Sequence, residues 1–200
     1  METVYSLSFK EPSINKKEIM RYMSSQGGGD EILGLIDECL AEVREMLQYK
    51  VCYAILTAKT DSNIISLSCG QIASRNLAKN LSGCDKAIIF AATIGIGIDR
   101  LISKYSRLSP AKALCLQAIG AERVEALCND FCEKMESEFQ GKGESLRPRF
   151  SPGYGDLPLE TQKMIFSLLD CPKRICVTLG YTLLMSPSKS VTALIVITRL

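Results

Sequence analysis

Residues 86–93, Lys-Ala-Ile-Ile-Phe-Ala-Ala-Thr, form an apolar run without alternation, and this run limits the possible fold more than any other feature of the chain. It has the length of a buried strand, and Gly95 ends it. Weaker strand signals lie at 3–9, 51–57, 64–67, 173–179 and 190–198, with the turn-prone Lys59-Thr60-Asp61-Ser62-Asn63 joining the second and third. Helices are predicted at about 14–24, capped by Ser13, and at about 71–81, 96–107, 110–139 and 159–169. A further helix starts after Gly27-Gly28-Gly29 with Asp30 as its cap, because Ile32, Ile36, Cys39, Val43 and Leu47 recur at spacings of three and four. Strands and helices do not alternate as β-α-β-α. The order therefore predicts an α+β fold with mainly antiparallel pairing rather than a doubly wound dinucleotide fold. Apolar residues are spread evenly, so residues 1–200 are expected to form a single domain.

Composition narrows the function. A net charge of +2 gives no field for non-specific DNA or RNA binding, so no nucleic-acid partner is expected. The chain has no Trp and is 6% aromatic, which argues against carbohydrate or aromatic-cage binding. The start, Met-Glu-Thr-Val-Tyr, is not a secretory signal, and no segment approaches the length of a membrane span. Nine cysteines, odd in number and without a C-x-x-C pair, suit a reduced compartment, so a cytoplasmic location is expected. With no histidine at all, imidazole chemistry and histidine ligation to a metal are excluded for this chain alone.

The most informative segment is 147–158, where three prolines and two glycines make a stiff, sharply turned loop. Arg149, followed by Phe150-Ser151-Pro152 and then Gly153-Tyr154, gives an R-x-x-x-G-Y pattern ahead of a helix that starts near Pro158. Arg149 can grip a carboxylate through two parallel N–H bonds, Gly153 allows close backbone approach, and Tyr154 offers a ring face and a hydroxyl. Asp156 would accept from an ammonium, so the set suits an amino-acid zwitterion. Spacing alone favours a plainer alternative, a type II turn with Pro152 and Gly153 in their preferred places and Tyr154 packed on the surface.

Three other patterns carry less. Gly95-Ile96-Gly97 lacks the third glycine of a dinucleotide fingerprint, with Arg100 in its place, and reads as a strand-to-helix turn with Asp99 near the helix start. Ser186-Pro187-Ser188-Lys189-Ser190 lacks the glycines of a phosphate loop and reads as a hairpin loop. Cys128 and Cys132 share an apolar stripe with Leu127 and Phe131, so core packing is expected and no metal site is assigned. The acidic residues elsewhere on that helix read as a solvated face.

The R-x-x-x-G-Y pattern and the helix after it resemble the signature of the reactivation (activation) domain of cobalamin-dependent methionine synthase. The stretches FAATIGIGIDRLISKYS, AIGAERVEALCNDFCEKM, PGYGDLPLETQKMIFSLLD and LMSPSKSVTALI are similar to the short, free-standing members of that family, over roughly residues 84–197. The resemblance implies a twisted, mainly antiparallel sheet flanked by helices. It implies S-adenosylmethionine as cofactor, contacted by Arg149, Gly153 and Tyr154, while cobalamin would be met only through a partner chain. The implied partners are a corrinoid-binding methionine synthase core and a flavodoxin-type electron donor. The implied task is reductive methylation of cob(II)alamin in methionine biosynthesis, as one part of a methyltransferase system active only with its corrinoid partner. The alternative is a non-catalytic S-adenosylmethionine-binding or scaffold protein for another corrinoid methyltransferase.

Overall fold

A computed structural model of the protein describes residues 2–25 and 29–199, so Gly27 and Gly28 of the expected helix break lie outside the described residues. The apolar run is strand β5 (Lys86–Thr93), and it sits inside an antiparallel sheet. Its neighbours are the long strand β2 (Lys50–Asp61) on one side and β9 (Ser190–Arg199) on the other. Beyond β2 come β3 (Ile64–Leu67) and β4 (Gly70–Ala73), while β1 (Val4–Ser8) pairs with the first half of β2. Short β6 (Glu144–Leu146) lies on the outer edge of β9.

Successive β5 side chains point to opposite faces. Ile88, Phe90 and Ala92 enter one core with α1 (Lys16–Tyr22), α2 (Asp30–Val43), α4 (Gly97–Leu108) and α5 (Pro110–Gln140). Ala87, Ile89 and Ala91 enter the other with α3 (Arg75–Asn80), α6 (Thr161–Leu169) and α7 (Cys171–Ile175). Cover on both faces is why this strand has no polar alternation. The result is the expected α+β architecture, a mainly antiparallel sheet flanked by helices.

Local assignments shift in several places. The helix predicted over 71–81 is instead strand β4 followed by α3, whose cap Ser74 accepts from Leu77 N–H. The strand predicted over 173–179 is mostly α7, started by Pro172 in its first turn, with only Thr178–Leu179 extended as β7, which pairs with β8 (Met185–Ser186). Asn15, not Ser13, caps α1. Asp30 is the first residue of α2 rather than its cap, and α6 starts at Thr161.

Ser13 has a different use. Arg123 of α5 is fully buried and donates to the carbonyls of Pro12 and Ser13, each at 2.7 Å, while the neighbouring Glu122 carboxylate accepts from Arg123 and from Asn15 N–H. This buried pair straps the segment before α1 onto the sheet's helical layer.

Candidate functional site

The loop carrying Arg149 is an extension of the sheet edge. After β6, Arg147 N–H donates to Val196 O at 2.9 Å, and Phe150 exchanges two backbone hydrogen bonds with Leu194 at 2.8 and 2.9 Å. The chain is thus held along β9 on both sides of Arg149, whose side chain reaches α5. There Nη1 donates to Asn129 Oδ1 at 3.0 Å and Nη2 pairs with the Glu125 carboxylate. The pair is at the surface, with the Arg149 side chain 24% and that of Glu125 42% exposed. A surface pair of this kind contributes little to stability and can exchange partners.

Next comes the tight turn that the spacing favoured. Tyr154 N–H donates to Ser151 O at 3.0 Å, with Pro152 and Gly153 in the central positions. Gly153 has φ +86°, where any side chain would be strained. The Tyr154 ring is 69% exposed and meets the Phe150 ring edge-on, centroids 5.6 Å apart. Phe150 packs on the α3-side core, so the Tyr154 ring lies on that side of the edge while the Arg149 guanidinium lies on the α5 side.

Asp156 points elsewhere. Its carboxylate accepts from the Ser74 hydroxyl at 2.6 Å and from the N–H groups of Arg75 and Asn76 at 2.7 and 3.2 Å. The Ser74 hydrogen bond, followed by those two backbone donors, holds its pKa below the usual carboxylate range. Arg149, Gly153 and Tyr154 therefore follow one another along the sheet edge, the guanidinium on its α5 side and the Tyr154 ring on its α3 side, while Asp156 ties the turn to α3 and is not aimed at an incoming ammonium.

Glu125 and Asn129 were not singled out from the sequence as site residues. They lie one helical turn apart on the polar side of α5, and the hint was the acidic face that read as solvated. A cleft of about 370 Å³ between α1 and α5 opens beside them and is also lined by Glu122 and Asp130. Burial, and then the neighbouring Glu133, raise the Asp130 pKa above the usual range.

The remaining motifs take structural places. Gly95 turns β5 into α4 with φ +81°, and a Cβ at Gly97 would lie 2.4 Å from Met46 O. Asp99, in the first turn of α4, accepts from Ser188 N–H and Ser188 Oγ, both at 2.7 Å. That bond fixes the 186–190 loop between β8 and β9. Cys128 is fully buried among apolar residues and burial raises its pKa; Cys132 is partly buried and raised for the same reason.

Comparison with known proteins connects the chain to one family and to solved structures. Residues 10–199 match the family model described as vitamin B12 dependent methionine synthase, activation domain. The fold is similar to the crystal structure of the MetH reactivation domain bound to AdoHcy, with a TM-score of 0.70 at 13% identity, over 98% of this chain and 78% of that one. No curated protein matches the sequence.

Proposed function

The chain belongs to the activation-domain family of vitamin B12 dependent methionine synthase, and from that premise we propose that it binds S-adenosylmethionine at the turn after Arg149 and serves a corrinoid-carrying partner chain. The observation that carries this reading is the exchangeable surface pair of Arg149 with Glu125, backed by Asn129. The methionine end of S-adenosylmethionine holds a carboxylate and an ammonium close together. On binding, the carboxylate takes the place of Glu125 on the guanidinium fork, and Glu125 with Asn129 Oδ1 receives the ammonium. One charge pairing is replaced by two, which offsets the loss of the first. This gives the ammonium to Glu125 rather than to Asp156, whose oxygens already serve α3.

Gly153 lets the ligand cross the edge close to the turn, and the exposed Tyr154 ring on the far side gives it a flat wall. That the similar reactivation domain is bound to AdoHcy supports a ligand of this class here. S-adenosylmethionine carries an electrophilic methyl on its sulfonium, and the partner's cobalt, reduced by a flavodoxin-type donor, supplies the nucleophile for reductive methylation. This chain's residues then have to bind, orient and leave the methyl facing outward, tasks that need neither a histidine nor an acid-base pair. A cytoplasmic setting suits its nine unpaired thiols.

Calorimetric titration with S-adenosylmethionine tests the reading. Arg149→Ala and Arg149→Lys are each expected to weaken binding about tenfold or more, because Lys lacks the planar fork. Glu125→Gln is expected to weaken it by a similar factor. Wild-type titrations from both Arg149 variants would refute the assignment.

A further inference from the structure

A notch is formed where the sheet divides. Strands β2 and β9 both run past the first residue of β5, Lys86, which pairs with Thr57 and Ile197. Beyond that point β2 pairs with β3, and β9 with β6, so the two arms separate. The loop from Leu81 to Asp85 fills the base of the gap, bound there by Ala58 N–H to Asp85 O at 2.8 Å, and α3 forms one wall. The notch encloses about 900 Å³, the size of a cofactor-sized site.

Four cations from three elements line it: Lys59 of β2, Arg75 and Lys79 one helical turn apart on α3, and Arg199 of β9. Among the described residues none of the four makes an ion pair. Two acids share the lining, Asp85 and Glu144, but Glu144 is already engaged by Lys86 at 3.1 Å. With four cations against two carboxylates, the opening is net positive. Between the cations the lining is polar, from Asn63, Ser82 and Thr198, and Ala78, Leu81 and Ile197 are buried beneath it. The Arg147 guanidinium donates to the carbonyls of Asn80 and Ser82, which fixes the floor before any ligand arrives.

We propose that this notch binds a short polyphosphate chain, its phosphates on the four cations. A finite notch with a local excess of charge suits one small polyanion, whereas a nucleic acid needs a continuous basic track. The site lies at the end of the sheet, shares no lining residue with the Arg149 pair, and does not depend on the reading given for that pair.

Calorimetry of the full chain with ATP and, separately, with inorganic tripolyphosphate tests this. Tripolyphosphate is expected to saturate one site and ATP to bind with similar affinity, because the base meets no exposed apolar surface. Lys59→Glu with Lys79→Glu should weaken ATP at least about tenfold, and Lys59→Gln with Lys79→Gln by less, with both effects shrinking at high salt. Arg149→Ala should leave the ATP titration unchanged. Absence of tripolyphosphate binding, ATP binding about tenfold or more tighter than tripolyphosphate, or a wild-type titration from the Lys59→Glu, Lys79→Glu protein would each overturn the proposal.

Discussion

Asp156 accepts three hydrogen bonds from the start of α3, and its lowered pKa makes that contact sensitive to acid. A carboxylate whose pKa is lower in the folded than in the unfolded chain adds stability at neutral pH, and that contribution fades as pH falls through the lowered value. Asp156→Asn is therefore expected to lower the melting temperature at neutral pH and to flatten its decline below the ordinary carboxylate range, as read by melts across acidic pH. The same residue marks the limit of sequence reading at this site. The turn at Pro152 and Gly153 was legible because turn chemistry is local. The partners of Asp156 lie about eighty positions away, and those of Arg149 twenty and twenty-four, so no local rule could name them.

Strong periodicity carried most of the elements. Helices α2, α4 and α5 and strand β5 fall within a few residues of their predicted bounds because each presents a continuous stripe or run to a core. The errors came where a segment is short: Gly70–Ala73 continues a hairpin against β3, and Cys171–Ile175 turns about Pro172, so pairing and a proline outweigh propensity. Helix α5 also carries the buried Arg123–Glu122 pair, whose hydrogen bonds to residues 12–15 hold the chain entering α1. Removing one member leaves the other charged and unpaired in the interior. Arg123→Met alone is expected to cost about 3–5 kcal/mol in urea denaturation. Adding Glu122→Met should recover much of that loss, and a double variant as unstable as the single one would show that the strapped segment itself, not the stranded charge, sets the cost.

At the scale of the whole molecule, β5 is the shared wall of two cores, with Ile88, Ile89 and Phe90 fully buried. Phe90 meets the Phe131 ring of α5 at 4.8 Å between centroids, so Phe90→Ala is expected to destabilise the protein by about 3–5 kcal/mol in chemical denaturation. Amide hydrogens of β5 should exchange only through global opening, whereas those of the 151–157 turn should exchange through local fluctuations. The neighbour that completes β5 comes from residues 190–199, about a hundred positions further along the chain. During synthesis, a nascent chain that has emerged only as far as residue 150 therefore displays an unpaired, strongly apolar edge. Until that late strand docks, such an intermediate is a natural client for chaperones and an easy template for aggregation.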